Sequence, residues 1–182
     1  VGGGGPANNC CILEAFEESK QYKYFVCIYD PKAVEEASAH QPGDIFDLPV
    51  AGTGKDGLKI LNLRVKLLRV TDGTFQESNP RHGGQINFRM GKTVVVATEE
   101  GSEIMLTSLR VMPFSLQQLI SQGVNPSEFD AIVAKGVNAP IAAYSPVCST
   151  IIQVNTPGVT QADMTLFDFK NRRKPLFPFE NV

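Results

Sequence analysis

Histidine is almost missing from this 182-residue chain, which holds only His40 and His82, each in a polar, loop-like setting. Neither belongs to a HExxH or His-x-His spacing. A zinc site built wholly from this chain would therefore need thiols or carboxylates beside them. No Ser–His–Asp or Cys–His arrangement is readable either. An excess of one charge is also lacking: 17 Lys+Arg stand against 19 Asp+Glu, a formal net charge of −2. That leaves no basic footprint for nucleic acid and no polybasic patch for a membrane. Long apolar runs are absent, since "TVVVAT" and "DAIVAKGV" fall far short of the ~20 residues a membrane-spanning helix requires. No charged start leads into an apolar core as in a secretory signal. The expectation is a cytoplasmic protein without nucleic-acid or membrane partners.

What is present starts with 42% hydrophobic and 20% charged residues, ordinary for a globular protein. The length suits one domain with a full core, or two very small ones. The four cysteines, Cys10, Cys11, Cys27 and Cys148, fit neither a CxxC metal pair nor a dense disulfide framework, and reduced, buried thiols are expected. The chain opens on Val1 and Gly2–Gly5 rather than on Met or a structural element, as a fragment of a larger protein would.

Asn8 or Asn9 can cap a helix over "CCILEAFEESK", with Ile12, Ala15 and Phe16 expected on its inner face. "YKYFVCIYD" reads as a strand, and Pro31 opens a short helix in "PKAVEEASAH". From about 44 to 108 the pattern changes to strand-like segments parted by turn residues. Asp72-Gly73 and Glu100-Gly101 read as hairpin tips. "LNLRVKLLRV" alternates, with Leu61, Leu63, Val65 and Leu67 on one side and Arg64 and Lys66 on the other. Helical spacing returns at "SLQQLISQG", capped by Ser115 and ended by Gly123. "DAIVAKG" and "TIIQVNTPG" read as further strands, and the phenylalanines of "FDFKNRRKPLFPFENV" as a strap packed over the domain. The fold class is α/β with an inserted antiparallel β meander or small barrel, α+β overall. It is one domain: 1–43 the glycine loop and α/β start, 44–108 the meander, 109–182 the completion and tail.

Three segments carry candidate chemistry. Gly2, Gly3, Gly4 and Gly5 precede a helix, where free N–H groups can meet an anion. No P-loop lysine or GxGxxG spacing accompanies them, and from spacing alone a flexible terminal segment is the favoured reading. Lys135 leaves an apolar strand next to Gly136, where it can enter a cleft and clamp an anion or simply reach solvent. Asn138 shares that loop and can orient a ligand or close a turn. In "LTSLRVMPF", Arg110 can grip a carboxylate or pair with an acid on the meander, and pairing is the favoured reading. "NRRK" at 171–174 reads as a solvated basic face.

Taken together, "VTDGTF", "GKTVVVATEEGSEIMLTSLRVMPFS", "GVNPSEFDAIVAKGVNAPIAAYSPVCSTIIQVNTPGVTQADM" and "RRKPLFPFE" resemble the C-terminal domain of the MlrC-like (microcystinase C-like) metallopeptidases. The resemblance covers nearly the whole chain and is strongest from about residue 70. It implies the C-terminal part of a zinc-dependent hydrolase acting on an amide or peptide-like bond. The zinc would be bound mainly by a separate N-terminal domain, which is the implied partner, and the substrate would be a small peptide-like molecule. Carried over, Gly2–Gly5 take a substrate-loop role and Lys135 a catalytic role in the cleft; Asn138, from its place in the same loop, is the further substrate-binding candidate. No metal ligand falls in this chain, which alone would be inactive. Relatives often read Gly-Asp after the glycines and a His soon after the Lys. This chain reads Ala7-Asn8-Asn9 and Lys135-Gly136-Val137-Asn138, which points to a different substrate. The alternative is a non-catalytic binding or assembly module of the same fold, and a homo-oligomer stays open.

Overall fold

Apolar side chains occupy both faces of the strand Tyr24–Tyr29, so both faces need cover. The computed structural model describes residues 7–50, 59–79, 84–136, 138–158 and 161–180. In chain order the elements are α1 (Cys11–Ser19), β1 (Tyr24–Tyr29), α2 (Pro31–Ala37), β2 (Ile45–Val50), β3 (Leu61–Thr71), β4 (Thr74–Gln76), β5 (Asn87–Arg89), β6 (Thr93–Thr98), β7 (Glu103–Thr107), α3 (Gln117–Ile120), β8 (Ala131–Val133) and α4 (Ala139–Tyr144). Short 3-10 turns lie at Pro126–Glu128 and Met164–Leu166. One six-stranded sheet has the order β2-β3-β6-β7-β1-β8, and β4 pairs with β5 in a separate hairpin. β1 is parallel to both β7 and β8, whereas β2–β3, β3–β6 and β6–β7 are antiparallel. The expected α/β fold with an inserted meander is observed. The meander is an open continuation of the main sheet rather than a barrel.

Period-two alternation divides the core into two layers. Tyr24, Val26 and Ile28 pack on one face with Leu48, Val65, Leu13 and Val34, under α1 and α2. Phe25 and Met105 pack on the other face with Phe75, Phe114, Leu119 and Tyr144, under the hairpin, α3 and α4. β3 buries Leu61, Leu63, Val65 and Leu67 as its alternation predicts. α2 begins as expected: Pro31 is its first residue and the Asp30 carboxylate accepts the Ala33 N–H at 3.1 Å. The inner face of α1 differs from expectation. Leu13 is its buried residue and Phe16 stacks on Tyr24 at 4.8 Å, while Ala15 is exposed. The helix turns so that Cys10, Leu13 and Phe16, spaced three apart, meet the sheet.

Glu100-Gly101 is a hairpin tip between the paired β6 and β7, with Gly101 at φ +81°. Asp72-Gly73 is not, because β3 and β4 lie in different sheets. There Asp72 accepts the Thr74 N–H at 3.0 Å, and the Gly73 carbonyl accepts from Met90 N at 2.9 Å. The turn thus carries the chain off the main sheet and clamps it against the approach to β6. Gly73 sits at φ +65°, and a Cβ there would overlap the Gly91 carbonyl oxygen and Thr93 Oγ1. Gly73→Ala is therefore expected to destabilise the fold by about 2–4 kcal/mol. A urea midpoint matching that of the parent chain would contradict this.

Two expectations for the last third fail. Residues 150–155 form no strand; the main sheet ends at β2 and β8, and neither pairs with them. Among the described residues, none from 149 to 180 belongs to either apolar layer. Instead of packing over the domain, the tail aromatics pack on each other: Phe167 and Phe169 lie 5.5 Å apart, and Phe169 and Phe179 5.6 Å apart. Nor is "NRRK" wholly a solvated face, since Arg172 pairs with Glu180 and lies 4.4 Å from the Phe179 ring centre. No helix among the described residues is long and apolar enough to cross a membrane.

Candidate functional site

Three parallel strands end at one side of the sheet: β1 at Tyr29, β7 at Thr107 and β8 at Val133. Crevices outside the carboxyl ends of such strands are where α/β sheets hold ligands. The chain leaving each strand brings polar groups there: Asp30 after β1, Ser108 and Arg110 after β7, Lys135 and Asn138 after β8. Asp30 N donates to the Thr107 carbonyl at 3.1 Å, locking two of these exits together. Arg110 lies with its guanidinium 4.4 Å from the Tyr29 ring centre, so "LTSLRV" reaches the same edge.

The segment entering α1 also comes to this edge. The Ala7 carbonyl accepts from Tyr29 N at 3.1 Å, and Ala7 holds the left-handed backbone region at φ +59°. Lys135 Nζ then donates to the carbonyls of Ala7, at 3.1 Å, and Asn9, at 2.6 Å. Asn9 accepts the Cys11 N–H on its own Oδ1 at 2.9 Å, which caps the first turn, and its amide donates to the Pro157 carbonyl. Asn8 is buried, and its Oδ1 has no hydrogen-bond partner among the described residues. Lys135 thus ties down the stretch that follows the glycine run. Gly2–Gly5 themselves lie outside the described residues.

Electrostatics at the tie follow from burial. Desolvation lowers the pKa of Lys135 below its ordinary value, opposed by the nearby thiols of Cys10, Cys27 and Cys11. Burial pushes the Cys10 thiol up to about 11 and the Cys27 thiol up to about 12, with Lys135 opposing in both cases. Both sulfurs are therefore protonated at neutral pH and do not suit a nucleophile's role. All four cysteines are free; Cys10 is buried and the other three partly so.

Asn138 is exposed, its carbonyl accepting from Ile141 N at 3.2 Å and its side chain leaving α4 uncapped. It shares the β8–α4 loop with Lys135, so the two polar residues singled out in the sequence lie at the same end of the sheet. His40 is elsewhere, stacked on Phe46 at 3.8 Å, and His82 lies outside the described residues. Among the described residues, no group of three or more His, Cys, Asp or Glu side chains is placed to hold a metal ion. The sequence reading missed the partners of Lys135. They are the backbone carbonyls of Ala7 and Asn9, and a carbonyl carries no side-chain signature. Only the cap-forming Asn9 offered a signal.

The family described as MlrC C-terminus matches residues 1–171. No curated protein matches the chain. Among solved structures, the chain is similar to the crystal structure of a "Putative metallopeptidase" from Mesorhizobium sp. BNC1, at 22% identity and a TM-score of 0.83. The likeness covers 97% of this chain and 35% of that one. It is a likeness of fold, and the chain spans about a third of the length of that protein.

Proposed function

The chain belongs to the MlrC C-terminus family, and from that premise we propose that it forms one wall of the substrate cleft of a zinc-dependent hydrolase acting on an amide or peptide-like bond. The observation that carries this reading is the Lys135 tie: a half-buried cation, at the carboxyl ends of three parallel strands, holds two carbonyls of the segment behind a glycine run. An ammonium has three N–H donors. Two are used, and the third serves to hold a substrate carboxylate or to stabilise negative charge as it develops. In this reading Gly2–Gly5 contribute N–H groups to the same substrate, and Asn138, exposed on the same loop as Lys135, orients it by hydrogen bonds.

The described residues do not fit a metal centre. In this reading the zinc ligands belong to another part of a longer polypeptide, its N-terminal domain, and the chemistry of the metal belongs there. This chain binds and orients.

Intact mass, zinc content and amide hydrolysis of the protein from its native source test the proposal together. A longer, zinc-bearing polypeptide that cleaves a small peptide amide is the expected result. A metal-free product of 19.8 kDa without hydrolysis would overturn it in favour of a binding module.

A further inference from the structure

The stretch Ser149-Thr150-Ile151-Ile152-Gln153-Val154-Asn155 has the β-branched composition of a strand, yet it pairs with no strand among the described residues. Every residue from 149 to 155 is exposed, Ile152 to 80% and Val154 to 60%. Among the described residues, 149–156 make no backbone–backbone hydrogen bond. Unpaired N–H and C=O groups flanked by apolar side chains are a template for strand addition. The stretch is nonetheless held at both ends. Cys148 N donates to the Tyr144 carbonyl at 2.9 Å, and beyond it the Pro157 carbonyl accepts from the Asn9 amide. Asn9 is one of the two residues whose carbonyls Lys135 grips.

We infer that residues 149–155 are a pairing strand that docks onto a sheet edge of the remainder of a longer polypeptide, and that this docking brings the remainder up to the Lys135 cleft. The inference rests on the reading of the chain as one domain of a longer hydrolase. Two observations choose this occupant. The solved protein of the same fold has most of its length outside the shared part. The strand's far end is fastened to the loop at the cleft, so a domain paired with it lies beside the cleft. The apolar side chains on the strand, Ile151, Ile152 and Val154, would be covered by the same contact.

Hydrogen–deuterium exchange at 149–155 tests this in the 182-residue chain and in the polypeptide isolated from its native source. The expected result is a longer native polypeptide in which these amides exchange at least about 100-fold more slowly than in the chain alone. Gln153→Pro, which removes a backbone donor at an exposed position, should abolish that protection while leaving the thermal unfolding of the 182-residue chain unchanged. Fast exchange in both proteins would overturn the inference and leave the hydrolase reading intact. Protection that appears in the 182-residue chain with rising concentration would overturn it too, by assigning the strand to a second copy. A native mass no greater than that of this chain would overturn the hydrolase reading, and the inference with it.

Discussion

Replacing Lys135 by methionine is expected to lower kcat/KM of the complete, metal-bearing polypeptide toward a small peptide amide by about 100-fold or more. Methionine keeps the apolar stem but removes the donors to Ala7 and Asn9. Ala7 retains the Tyr29 N–H as a partner, whereas the Asn9 carbonyl loses the only donor described for it. An orphaned acceptor of this kind costs about 1–3 kcal/mol, to be read in the urea midpoint of the 182-residue chain. The larger effect is on geometry. The glycine run leads directly into the released stretch, and displacing a positioning loop by about 1 Å can cost two orders of magnitude in rate. Lys135→Arg, which keeps a cation and its donors, should recover part of the loss. A role limited to stability would show instead as a smaller active fraction with unchanged kcat per active molecule. Full activity in Lys135→Met would refute the cleft role.

Elements set by local spacing were legible in the sequence. The alternation in β3, the Asp30-Pro31 start of α2 and the glycine at the β6–β7 tip each depend on residues within a few positions of one another, and each is seen in the fold. The errors have a shared cause. Which side of α1 faces the sheet depends on the rotation of a nine-residue helix with apolar residues on several sides. That Asp72-Gly73 changes sheets depends on where β5 and β6 run. Residues 150–155 have strand composition, but a strand also needs an edge, and composition does not supply one. The site divides in the same way. Lys135 and Asn138 stood out because they leave an apolar strand beside a glycine. The partners of Lys135 are 128 and 126 positions away, and only the three-dimensional arrangement brings them to it.

Alkaline pH is expected to lower the stability of the chain, more steeply above about pH 10.5 than just below it, because several buried groups titrate late. Burial raises the Cys10 thiol from 9.0 to about 11 and the Cys27 thiol from 9.0 to about 12. Burial also raises the phenols of Tyr24, which donates to Glu17 as well, and of Tyr144. A thiol whose pKa is higher in the folded state leaves stability untouched below the unfolded value. Above it the unfolded chain ionises first, so stability falls as pH rises toward the folded value. Each pH unit of that separation is worth about 1.4 kcal/mol, so Cys10 alone removes roughly 3 kcal/mol between pH 9 and 11. Lys135 acts in the opposite sense: its pKa is lowered from 10.5 in the folded chain. The folded state therefore binds fewer protons below pH 10.5, and this contribution rises with pH until it is exhausted there. The decline should be shallower just below pH 10.5, where Lys135 opposes it, and steeper beyond. Urea midpoints from pH 8 to 11 measure it, and Cys10→Ala should lose about 3 kcal/mol less than the parent chain across that range. Parallel curves for the two would contradict the burial argument. Lys135→Met should steepen the decline below pH 10.5, because it removes the opposing titration, and should extend it beyond pH 11, because it also removes the cation that favours ionisation of the Cys10 thiol.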